Sequence, residues 1–158
     1  MGRAYFRIFT NNLLITRTHA GNLLAFQEFM ILPTGFNSFR ESLQAGAEVY
    51  QCLQKIIKKK YGIDATNVGD EGGFAPPTRE EDSLQLLKEA IHSAGHEGKI
   101  DIGLDCASSE FFVPESGKYD LDFKGTGAKV LLTKQELLAR YVKMCENNNI
   151  VSIEDPFD

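Results

Sequence analysis

Three times along this chain a Ser or Thr stands three residues ahead of a Glu at the start of an apolar periodic run, and this repeated start signal dictates where helices can begin. Ser38 with Glu41, Thr78 with Glu81, and Thr133 with Glu136 each fit a capping box, in which side chains satisfy the orphan amides of a first helical turn. Behind the first, Phe39, Leu43, Ala47, Tyr50, Leu53 and Ile57 fall on one face. Lys58, Lys59 and Lys60 then suit the negative helix end, and Gly62 stops the run. Behind the second, Leu84, Leu87, Ile91 and Ala94 share a face and Gly95 closes it. Leu137, Tyr141 and Met144 do the same in the third, which runs out in Asn147–Asn149.

Strand candidates lie between these helices: Phe26–Pro33, Lys99–Ala107 and Asn149–Glu154. The first is apolar on both faces apart from Gln27 and Glu28, as in a strand covered on both sides. In the second, Ile100, Ile102, Leu104 and Cys106 point one way, and Asp101, Gly103 and Asp105 the other. The third sets Ser152 and Glu154 opposite Ile153. Strands alternating with helices give an α/β fold, and acids at strand C-termini fit a barrel mouth. A closed barrel takes about 250 residues. The 158 residues here predict an open, partial one.

Composition narrows the function classes. A net charge of −5 gives no footprint for nucleic acid or an anionic membrane. No apolar run reaches the length of a bilayer span. Cys52, Cys106 and Cys145 are odd in number and lack CxxC spacing, which favours free thiols in a reducing cytosol, so a cytoplasmic location is expected. His92 and His96 are four apart, but Gly95 ends the helix between them. They read as cations at a helix C-terminus, not as zinc ligands.

Two connections are long enough to be functional. Gly62–Pro77 holds Asp70-Glu71-Gly72-Gly73, where glycines permit close backbone approach to a ligand and the acids can do chemistry. Ala107–Leu132 contains Phe111–Val113 and Lys118–Phe123, which predict a small hairpin across Pro114–Gly117.

Four stretches resemble the enolase family in the right order. They are His19-Ala-Gly-Asn-Leu-Leu-Ala-Phe-Gln-Glu28 running on to Pro33, Val68-Gly-Asp-Glu71-Gly-Gly-Phe-Ala-Pro76, Gly103-Leu-Asp105-Cys-Ala-Ser-Ser-Glu110, and Val151-Ser-Ile-Glu154-Asp-Pro-Phe157. The resemblance implies a partial enolase-type TIM-like barrel over residues 19–158. It implies that the family's N-terminal α+β domain and later barrel units are absent from these residues.

Residue by residue, it implies that Asp105 and Glu154 are two of three carboxylates holding Mg²⁺, with Glu154 also facing substrate. Glu71 would be the general acid, supported by Glu28. His19, Gln27 and Glu28 would contact substrate, His19 from a loop that closes over it. The reaction implied is reversible dehydration of 2-phosphoglycerate to phosphoenolpyruvate. This superfamily removes a proton alpha to a carboxylate with a Lys or His base while Mg²⁺ stabilises the dianion. In the family the full-length enzyme is a homodimer.

The third metal carboxylate, the lysine base and the His-Arg pair for the phosphate have no counterpart in the matched stretches. An inactive isolated chain is therefore expected. The alternative is a truncated, non-catalytic product with a binding role. Residues 1–18 are expected to diverge from the family, because Ile15-Thr16-Arg17-Thr18 stands where it has Asn-Gly-Gly-Ser.

Overall fold

The computed structural model describes residues 24–69, 72–125 and 129–158, together with the backbone of residues 11–15. His19 and Glu71 lie outside the described residues. Two sheets, three α-helices and two short 3-10 turns make up the described part.

The main sheet contains β1 (Asn11–Ile15), β2 (Glu28–Leu32), β3 (Asp101–Asp105) and β7 (Ile150–Glu154) in the order β1-β2-β3-β7. β2 runs antiparallel to both β1 and β3, whereas β3 and β7 are parallel. The sheet does not close on itself: among the described residues β1 and β7 remain its two edges. This is an open, partial barrel with an α/β chain order, as the alternation of strands and helices predicts.

Three helices cover the sheet: α1 (Phe39–Tyr61), α2 (Glu80–Ser93) and α3 (Lys134–Asn148). Ile31, Ile102, Leu104 and Cys106 of the sheet join Val49, Leu53 and Ile57 of α1, Leu84, Leu87 and Ile91 of α2, and Leu137, Tyr141 and Met144 of α3 in one core. Burying such side chains contributes roughly 1.5–3 kcal/mol each relative to exposure.

Of the three expected capping boxes, the one at Thr133 forms in full and the one at Ser38 forms in half, its Glu41 carboxylate taking the Asn37 amide at 3.2 Å instead of the Ser38 amide. Ser38 accepts from the Glu41 amide at 3.2 Å. Thr133 accepts from the Glu136 amide at 3.3 Å while the Glu136 carboxylate reaches back to the Thr133 amide at 2.7 Å. The Thr78 box does not form. α2 starts one residue later, with Arg79 at its N-cap and no side-chain cap. The Thr78 hydroxyl instead meets the Ser83 hydroxyl at 2.8 Å, and Glu81 is drawn to Arg140 at 2.7 Å.

The buried face of α1 also departs from expectation. Ala45, Gly46, Val49, Leu53 and Ile57 are buried, whereas Phe39 and Leu43 are 51% and 42% exposed. A helix of 23 residues runs about 35 Å, roughly twice the span of a five-residue strand.

The hairpin forms from β4 (Phe112–Val113) and β5 (Lys118–Asp120), with Phe112 opposite Tyr119. A third strand, β6 (Leu131–Leu132), pairs with β5 and completes a small second sheet.

Candidate active site

Three acids reach one end of the main sheet by strand register. Glu28, the first residue of β2, pairs with Asp105, the last residue of β3, and Asp105 pairs with Glu154, the last residue of β7. Residues paired across adjacent strands project on the same side of a sheet, so the three acids form one row. Because β2 runs opposite to β3, an acid at its start and an acid at the end of β3 meet.

The row depends on an irregularity. Ile102 pairs with Ile150, but Gly103 pairs with Ser152, so β7 carries one extra residue at that point. Without the bulge, Asp105 would face Ile153, one residue earlier, and Glu154 would turn to the other side. The extra residue, Val151, is 57% exposed.

Local backbone holds the ends of both parallel strands. The Ala107 amide donates to Asp105 Oδ1 at 3.1 Å, and Ala107 adopts a left-handed conformation with φ 44°. Asp155, next to Glu154, does likewise with φ 43°. Non-glycine residues in this region carry strain, and such strain collects where a site must be held in one geometry. The Cys106 amide donates to the Glu154 carbonyl at 3.0 Å and the Ser108 amide to the Asp155 carbonyl at 3.1 Å, which continues the β3–β7 pairing past the acids.

Beneath the row, Tyr141 of α3 ties the two strand ends together. Its hydroxyl lies 3.2 Å from Ser108 Oγ and donates to the Pro156 carbonyl at 3.1 Å. Burial pushes the Tyr141 hydroxyl well above its ordinary range, so it stays protonated and remains a donor. Cys106 is fully buried beside Asp105, and its thiol is pushed up to about 12, chiefly by desolvation.

Glu28 is buried, 7% exposed, Gln27 is half-buried beside it, and Glu154 is exposed. The flanks of the Asp70-Glu71 segment are described. The Gly69 amide donates to the Gly73 carbonyl at 2.9 Å and the Gly72 amide to the Gly69 carbonyl at 3.0 Å. Gly72 has φ 86°, which suits glycine. Tyr50 of α1 donates its hydroxyl to the Gly72 carbonyl at 2.9 Å, and its ring lies tilted against Phe74 with centroids 4.6 Å apart. The sequence pattern places Tyr50 on an apolar face of α1 and gives its hydroxyl no partner. The tyrosine hydroxyl was the available signal, because a half-buried Tyr needs a partner for it.

Among the described residues, no group of three or more His, Cys, Asp or Glu side chains is drawn close enough to hold a metal ion. The chemistry of the row nevertheless fits a hard divalent cation. All three side chains offer carboxylate oxygens, and like charges at facing positions of a sheet oppose one another unless positive charge is set among them. His92 and His96 take no part: they pair with Glu97 at 2.9 Å and Glu48 at 2.6 Å. A cleft of about 250 Å³ lies elsewhere, under the hairpin, lined by Phe111, Asp120, Asp122 and Lys129 among others.

Residues 5–158 match the family described as enolase, C-terminal TIM barrel domain. The chain belongs to that enolase family. The match takes in residues 5–18, and β1 within them is paired to β2. An enolase from Eimeria tenella is 54% identical over 150 residues, covering 93% of this chain and 34% of that protein. The chain thus spans about a third of the length of the enolase it matches. Among the described residues, no helix is long and apolar enough to cross a membrane.

Proposed function

We propose that this chain forms part of the catalytic site of an enolase, the lyase that reversibly dehydrates 2-phosphoglycerate to phosphoenolpyruvate in glycolysis. The observation that carries the reading is the in-register row Glu28–Asp105–Glu154 at one sheet end. Asp105 and Glu154 are the residues that would hold Mg²⁺. When bound, Mg²⁺ supplies positive charge that stabilises the dianion formed by removing a weakly acidic proton.

The remaining roles belong to side chains of this chain. Glu71 protonates the departing hydroxyl, and Glu28 supports that proton transfer and binds substrate. Gln27, His19 and Glu154 orient the substrate. A soluble cytoplasmic location and homodimeric assembly accompany this reading.

No residue of the four family-like stretches serves as the base, so the 158-residue chain alone is expected to give no turnover. Loss of a general base alone costs about 10²–10⁴-fold. The test is to place the chain in the corresponding third of the Eimeria tenella enolase and follow phosphoenolpyruvate formation. The chimera should turn over substrate, and Asp105→Asn or Glu154→Gln should abolish most of it while leaving the thermal transition in place. An active chimera indifferent to both substitutions would sink the metal assignment. Turnover by the purified chain alone would show that the base lies within it.

A further inference from the structure

A single peptide group just ahead of β2 is held at both ends by charged side chains from distant parts of the chain. Lys124 Nζ donates to the Leu24 carbonyl at 3.0 Å, and the Ala25 amide donates to Glu80 Oε1 at 2.7 Å. These two atoms belong to the one Leu24–Ala25 peptide. Leu24, Ala25 and Phe26 are all buried, and the β2 ladder begins only at Glu28.

The grip is itself braced. Glu80 is 1% exposed, and Arg140 approaches its other oxygen at 3.4 Å while also pairing with Glu81 at 2.7 Å. Arg79, next in sequence to Glu80, pairs with Asp122 at 2.9 Å and so ties the start of α2 to the turn that carries Lys124. The charges facing Glu80 are Arg140 and Glu81, and those facing Lys124 are Glu110 and Glu80.

We propose that Glu80 and Lys124 are positioning residues that clamp the Leu24–Ala25 peptide from its two ends and so fix the register in which Glu28 enters the carboxylate row. A strand has a side-chain period of two, so a slip of one residue would turn Glu28 into the core and bring Gln27 or Phe29 opposite Asp105. The clamp lies three residues from Glu28, close enough to exclude that slip.

Stability alone does not account for the arrangement. Burial raises the Glu80 carboxyl and lowers the Lys124 ammonium from their ordinary ranges, so both charges are held against their solvation preference. Buried charges seldom add net stability over apolar replacements, and fixing one arrangement among several is their better-attested use.

The consequence for the row rests on the proposed function, but the clamp itself is testable without it. Amide exchange is followed on the 158-residue chain. Lys124→Met and Glu80→Leu remove the donor and the acceptor, whereas Lys124→Arg and Glu80→Gln retain them. Loss of either grip should speed exchange at Ala25 and across Glu28–Leu32 about tenfold, with α1 and α3 amides unchanged. The retaining variants should stay within about twofold of the parent. Unchanged exchange at Ala25, or an equal rise in every helix, overturns the clamp.

A second arm adds Mn²⁺ as a paramagnetic probe. In the parent chain it should broaden Glu28, Asp105 and Glu154 together, and in Lys124→Met the broadening at Glu28 should be lost first. Equal broadening of all three in Lys124→Met overturns the register claim. No broadening in the parent counts against the metal reading and leaves the exchange result to decide the clamp.

Discussion

The acids borne on strands and the acid-bearing loop are held by different means. Asp105 and Glu154 end neighbouring strands whose ladder continues past them through the Cys106 and Ser108 amides, so their separation is set by repeated hydrogen bonds. Among the described residues, the flanks of Asp70-Glu71 are held by the Val68–Phe74 bridge, by turn hydrogen bonds between Gly69, Gly72 and Gly73, and by the Tyr50 hydroxyl. A site residue on a regular element inherits the precision of that element, whereas one on a loop depends on a few local contacts. A group that must stay put therefore belongs on the strands. A group that must approach and leave a substrate belongs on the loop.

The strongest way to break the contrast is to damage the ladder from below. Leu104 is fully buried between the row and the helices, and Leu104→Ala should cost about 2–5 kcal/mol in urea denaturation. Both strand-borne acids should lose their register together. A cost under about 1 kcal/mol would mean that the ladder tolerates a void and is not the rigid member of the comparison.

A second handle is the thiol at the end of β3. Cys106 is raised from 9.0 to about 12 in the folded chain. The unfolded chain loses this proton first as pH rises, so over that interval the folded state binds more protons. Stability from this group is therefore whole below about pH 9 and is lost as pH climbs toward 12. The thermal midpoint should fall over that window, and Cys106→Ala should flatten the fall. An equal slope in the variant would place the pH dependence elsewhere.

Much of the strand-borne half was legible in the sequence. Period-two alternation placed Asp105 and Glu154 at strand ends, whereas the antiparallel entry of β2, which brings Glu28 to the same end, is shown by the strand pairing. The bulge that aligns Glu154 with Asp105 left no local signature, because nothing in Ile150–Ile153 announces an extra residue. Glu80 was invisible for another reason. It stands in the run Glu80-Glu81-Asp82, which reads as an ordinary acidic helix start, and only tertiary packing selects one of the three for burial. The same holds for Thr78, whose sequence fits a cap but whose hydroxyl is turned inward to Ser83. The buried face of α1 differs from the pattern in its first turns because periodicity reports which residues align, not which of them a neighbouring element covers.

The smallest effect is the most informative about the loop. Tyr50→Phe keeps the ring on Phe74 and removes only the hydroxyl that donates to Gly72. Burial raises the Tyr50 hydroxyl above its ordinary value, so it is protonated at neutral pH and the lost contact is a neutral hydrogen bond. Such a bond contributes about 0.5–1.5 kcal/mol. Because the deleted atom lies next to the turn and not in the core, global stability should change by the low end of that range. Exchange at Gly69 and Gly72 should rise about tenfold, while amides in Ile102–Asp105 keep the parent rate. In the active chimera the same substitution should lower kcat more than it raises KM, since the loop bears the proposed proton donor and not the main substrate contacts. If β3 amides loosen as much as the loop does, the anchor is part of the common core. The loop would then have no independent freedom, and the contrast between the two kinds of acid would fall.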